Sequence, residues 1–175
     1  MTKYEKDLND QFELTESGFS TSLYKKLIRN WHEKATTEDY FSKFVFEYLA
    51  FAAIIRKYFN IESKSDRDAV NRLKGNKVIE GEYLLKIQKE LNENLNKLIN
   101  YLNGNPVKNG DKEIQIQNEE DWPNMVELIY SVRNNLFHGG KDPDDARDKL
   151  LVENAYKLLR PLVEILLNKI DMSER

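Results

Sequence analysis

Cysteine is absent from the 175 residues, which excludes disulfides, thiolate metal sites and cysteine nucleophiles. Glycine and proline are scarce, at seven and four residues, so a turn-rich β architecture has little to build on and a helical chain is expected. No window approaches the roughly 18 consecutive apolar residues of a membrane span, and Met1 to Asp7 contain no apolar stretch of signal-peptide kind. A cytoplasmic protein without membrane contact is the expectation. Positive charge is not in excess either. With a formal net charge of −3, a polyanion would have to be held by a local basic patch. The two histidines, His32 and His138, lie far apart without an acidic cluster at ligand spacing, so neither a metal site nor a cofactor is expected.

What is present is helical periodicity over a length that suits one domain, 1–175. After a polar leader, 1–19, Ser20, Thr21 and Ser22 offer capping oxygens to a first helix with Leu23, Leu27, Ile28 and Trp31 on one face, ending near Lys34. Thr36 and Thr37 cap a second helix with Glu38 and Asp39 in its first turn, running to about Phe59. It is apolar almost all round, which marks a central helix. Its aromatics, Phe41, Phe44, Phe46, Tyr48 and Phe51, stand at helical spacing and read as core rather than as a base-stacking platform. Lys25, Lys26 and Arg29 read as a solvated face.

Residues 60–81 read as a connection, with room for a short helix from Ser65 to Leu73. From Glu82 to Asn103, leucines at 84, 91, 95, 98 and 102 with Ile87 and Ile99 predict a long amphipathic helix of bundle type. Segment 104–118 reads as a loop or a short β-hairpin arm, because Asn109-Gly110 is a hairpin dipeptide and Ile114 and Ile116 alternate with polar residues. A fourth long helix starts around Glu119 to Asp121, with Pro123 in its first turn, and stops at Gly139-Gly140. The last is punctuated by Asp142 as cap, Pro143 at the first position and Asp144 and Asp145 in the first turn, and Pro161 should kink it. The fold class is all-α, a bundle of four to five helices with a short hairpin insertion.

One segment carries chemistry: Arg133-Asn134-Asn135-Leu136-Phe137-His138. On a helical wheel Met125, Leu128, Ile129, Val132 and Leu136 share a core face within about 60°, leaving Arg133, Asn134 and His138 outside it. Arg133 offers a planar fork for phosphate, Asn134 a donor and an acceptor, and His138 a group able to exchange protons near neutrality. RNA carries its own nucleophile, the 2′-hydroxyl, so a protein need only take its proton, steady the phosphate and protonate the leaving oxygen. Residues five apart point about 140° away from each other on one helix, so two copies across a symmetric dimer would complete the site better than one. Other roles are open to the same residues. His138 fits a helix C-cap with Gly139 as left-handed terminator, and Arg133 fits a structural partner for Glu47, the lone charge within the apolar run Phe44 to Ile55. His32 reads as a surface or packing residue.

The order Arg-polar-x-x-x-His at the end of a late helix, within Tyr130 to Lys141, resembles the R-x4-6-H motif of HEPN domains. The resemblance extends to the Phe- and Ala-rich helix before it and to the helix that follows. It implies a small helical bundle acting as a homodimer, a metal-independent RNA endonuclease in toxin–antitoxin, phage-defence or RNA-processing systems, with Arg133 and His138 catalytic and Asn134 supporting. Some members are non-catalytic modules, which leaves a second expectation: binding of nucleotide, RNA or a partner such as an antitoxin nucleotidyltransferase. A plain helical scaffold is the third.

Overall fold

A computed structural model describes residues 21–36, 39–58 and 65–172. The leader 1–19, Ser20, Thr37, Glu38 and Phe59 lie outside the described residues. Among the described residues six helices and one hairpin follow in order: α1 (Thr21–Lys34), α2 (Tyr40–Tyr58), α3 (Asp66–Lys74), α4 (Lys77–Leu102), β1 (Val107–Asn109), β2 (Lys112–Ile114), α5 (Trp122–Phe137) and α6 (Ala146–Met172). The fold is all-α with a small antiparallel hairpin, and no described helix is long and apolar enough to cross a membrane.

The core is built on α2 and α6, which pack most extensively against each other. Phe44, Tyr48, Phe51, Ile54 and Ile55 from α2 and Leu151, Leu159, Leu162, Val163 and Leu166 from α6 are buried in one core. On α1, Ile28 is buried and Trp31 stacks on Phe46 with ring centres 5.6 Å apart, but Leu27 faces solvent. Tyr83 of α4 shows how a long helix is pinned: its ring lies 4.9 Å from that of Trp122, and its hydroxyl donates to the Leu158 carbonyl at 2.9 Å. Buried tyrosine keeps a polar tip only when that tip has such a partner.

Three helix starts differ from the sequence expectation. Asp39 is the cap of α2 rather than a first-turn residue, its Oδ1 accepting from Phe41 N at 2.9 Å and Ser42 N at 3.3 Å. α4 begins at Lys77, not Glu82, and carries Gly81 in its interior. Asn76 accepts from Val78 N and Ile79 N, which offsets the helix-weakening effect of one glycine, about 1 kcal/mol. α6 begins at Ala146, because Asp142 closes a turn on the Asp144 N–H while Asp145 accepts from Asp148 N at 2.9 Å. The helix then runs through Pro161 to Met172.

The hairpin pairs Val107 with Ile114, Lys108 with Glu113 and Asn109 with Lys112. Its two central residues are therefore Gly110 and Asp111, one step later than an Asn-Gly turn, and Gly110 takes the positive φ of 61° the turn needs. Val107, Ile114 and Ile116 are buried, so the arm lies against the body. Asn109 Nδ2 donates to the buried Ser131 hydroxyl at 3.1 Å, and Asn135 Nδ2 to the Lys108 carbonyl at 2.9 Å, fastening it along α5.

Candidate functional site

α5 presents Met125, Leu128, Ile129 and Val132 to the core, with Leu136 partly covered, and its opposite side at the C-terminal end faces solvent. The helix stops in a hydrogen-bonded closure. His138 N donates to Asn134 O at 3.0 Å, Gly139 N to Leu136 O at 3.1 Å and Gly140 N to Asn135 O at 2.7 Å. Gly139 has φ +72°, the left-handed position that terminates a Schellman motif. A Cβ on Gly140 would come within 3.2 Å of the Asn135 carbonyl, so both glycines suit the turn.

Arg133 and Asn134 are brought together: Arg133 Nη1 donates to Asn134 Oδ1 at 2.9 Å. Arg133 Nη2 reaches Asp66 Oδ2, at the start of α3, at 3.4 Å. Asp66 is shared, since its Oδ1 accepts from Arg56 Nη2 at 2.6 Å and Nε at 3.1 Å. Arg133 lies between two rings, its guanidinium carbon 5.5 Å from the centre of Tyr48 and 5.1 Å from that of Phe137. Phe137 is 52% exposed and covers the outer side. Two buried polar atoms at this spot, Arg133 Nε and the Tyr48 hydroxyl, have no hydrogen-bond partner among the described residues. Burial pushes the Tyr48 phenol well above its ordinary pKa, so it stays protonated.

His138 is the C-cap residue, exposed, and its imidazole forms no hydrogen bond or ion pair with a described residue. Neither kind of contact joins it to Arg133. Within one chain the structure thus assembles the Arg–Asn pair and leaves the histidine free one turn further on.

Glu47 is not the partner of Arg133. A hydrogen bond of 2.6 Å joins its Oε1 to His32 Nδ1, and Arg160 Nη1 stands 3.5 Å from its Oε2, which itself lacks a hydrogen bond. Burial raises the Glu47 carboxyl above its usual range, with His32 and Arg160 pulling the other way. His32 is therefore more than a packing residue: its side chain is 16% exposed and serves the only fully buried carboxylate described. A lone acid in an apolar helix announces that some partner exists, but not that it sits 15 residues back on α1.

A second charge cluster, unseen in the sequence, binds α3 to α5. Arg67 Nη1 donates to both oxygens of Glu127 at 2.8 Å, Lys74 Nζ donates to Oε2 at 2.8 Å, and the Arg67 guanidinium covers the Tyr130 ring at 4.1 Å. Because α3 also supplies Asp66, this cluster sets where the partner of Arg133 stands. Among the described residues no group of three or more His, Asp or Glu side chains is placed to hold a metal ion. No family model, curated protein or solved structure matches the chain.

Proposed function

We propose that this chain is a metal-independent endoribonuclease of the HEPN type, acting as a homodimer. The observation that carries the reading is the end of α5: a hydrogen-bonded Arg133–Asn134 pair and the unpartnered imidazole of His138 on the solvent side of a helix whose last turn is fixed by its own closure. Arg133 would grip the phosphate, and Asn134, accepting from Nη1, would hold the fork in register. The 2′-oxygen bonds to phosphorus as the bond to the 5′-oxygen breaks. One His138 takes the 2′-hydroxyl proton, and a second copy of His138 gives a proton to the leaving 5′-oxygen. The products are a 2′,3′-cyclic phosphate and a 5′-hydroxyl. Two histidines are needed for this, which is why the dimer belongs to the proposal.

The test compares wild type, His138→Ala and Arg133→Lys, matched for melting temperature, on end-labelled RNA. His138→Ala should lose about 10²-fold or more in rate, the scale of an acid–base residue. Arg133→Lys, which keeps the charge and loses the bidentate fork, should be severely impaired as well. Equal cleavage by all three refutes the assignment. The second reading, a non-catalytic module binding nucleotide, RNA or a nucleotidyltransferase partner, draws on the Asp66 contact, which occupies part of the Arg133 fork. Retained RNA binding without cleavage by wild type would favour it.

A further inference from the structure

Beside the α5 motif, on the side away from Arg133, lies a groove of about 490 Å³ between the hairpin and the start of α6. That volume falls within the roughly 300–1,000 Å³ of ligand sites. Its polar side chains are Asn105, Lys108, Asn135, Lys141 and Arg147 against a single carboxylate, Glu113, with Leu151 among the apolar residues. In a chain of net charge −3, this is a local reversal of sign. Not all of the charge is spoken for. Lys141 is tied to Asp148, but Lys108 has only Glu113 at 3.9 Å. Arg147 gives Nη2 to the carbonyls of Pro106 at 2.9 Å and Asn105 at 3.4 Å, and has no ion pair with a described residue. The nearby acids Asp142 and Asp145 accept from the Asp144 and Asp148 N–H groups.

Asn135 connects this groove to the motif. It lies three residues before His138, about 60° from it round the helix, whereas Arg133 is roughly 140° from His138 on the other flank. Its Nδ2 is used on the Lys108 carbonyl, and its Oδ1 has no donor among the described residues. A strand crossing the tip of α5 from the Arg133 side would pass His138 and enter the groove.

We propose that this groove holds the ribose-phosphate next to the bond attacked by the α5 motif, in single-stranded RNA. Lys108 and Arg147 meet the phosphate, and Asn135 Oδ1 accepts from the 2′-hydroxyl. The identity of the strand rests on the ribonuclease reading; the groove and its charge do not.

The test is fluorescence anisotropy of a labelled single-stranded RNA with full-length protein carrying His138→Ala, titrated between about 50 and 200 mM salt. Adding Lys108→Gln or Arg147→Gln should weaken binding about 3–10-fold each and lower the slope of log affinity against log salt by about 1, the signature of one lost phosphate contact. Lys97→Gln, an exposed lysine of α4, should change neither. Wild-type affinity and slope in both groove variants overturn the proposal. The outcome separates from that of the nuclease reading, since these variants leave Arg133 untouched. Cleavage by the His138-containing protein with unaffected binding in the groove variants removes the groove and keeps the nuclease. Weakened binding in those variants with no cleavage by wild type keeps the groove and removes the nuclease. No RNA affinity in any protein removes both.

Discussion

Replacing Glu127 with glutamine tests how firmly α3 is anchored beneath the site. The carboxylate is buried and accepts three charge-assisted hydrogen bonds, two from Arg67 Nη1 and one from Lys74 Nζ, all at 2.8 Å. Breaking a buried ion pair on one side costs about 3–5 kcal/mol, but here the stranded cations are 30% and 25% exposed and can turn to water. Glutamine also keeps one acceptor oxygen. The net loss should therefore be about 2–3 kcal/mol, or roughly 5–10 °C in melting temperature for a chain of this size. The pH dependence gives a second handle. Burial alone would raise the Glu127 carboxyl, but Lys74 and Arg67 together outweigh it and hold it below its ordinary value of 4.5. A depressed carboxylate stabilises fully above its unfolded value and loses that contribution as pH falls through its folded value. Melting followed by circular dichroism should thus show a gap between wild type and Glu127→Gln at about pH 7 that closes as pH drops below about 4.5. A melting difference of less than about 1 °C at neutral pH, or a gap independent of pH, would refute the reasoning.

Glu47 should behave in the opposite sense. Its carboxyl is raised by burial, so its contribution to stability declines as pH rises above its unfolded value of 4.5, and Glu47→Gln should gain on wild type across that range in urea midpoints. A midpoint of Glu47→Gln minus that of wild type that stays flat or falls as pH rises would contradict it. Phe137→Ser removes the exposed ring beside Arg133 and should shift a dimer toward monomer in light scattering at micromolar protein. Cleavage by the proposed mechanism should survive EDTA, since that mechanism draws its acid and base from side chains; loss in chelator with rescue by a divalent ion would overturn it.

Local rules carried much of the fold. The core face of α5 from Met125 to Val132 follows from a 3.6-residue period, and the stop at Gly139 from the need for positive φ. The hairpin followed from the turn glycine and the alternation around Ile114. Where several acids competed for one helix start, the sequence misled: four aspartates lie between Lys141 and Lys149, and only the geometry of the turn makes Asp145 the cap. Charge pairing was the least legible layer. Asp66 is 67 residues from Arg133 and Arg67 is 60 from Glu127, and no periodicity links them. The candidate motif was visible because its three residues lie within one turn and a half of one helix. The residues that orient Arg133, and the groove beside Asn135, depend on how α3, the hairpin and α6 come together around α5.

The closed end of α5 has a dynamic consequence. Helix ends ordinarily fray on fast timescales because their last carbonyls lack partners. Here the N–H groups of His138, Gly139 and Gly140 take up the carbonyls of Asn134, Leu136 and Asn135. The three amides should therefore exchange with deuterium more slowly than those of an open helix terminus. The His138 backbone is then ordered when the chain folds, and a ligand arriving at the tip need arrest only the imidazole's two side-chain torsions.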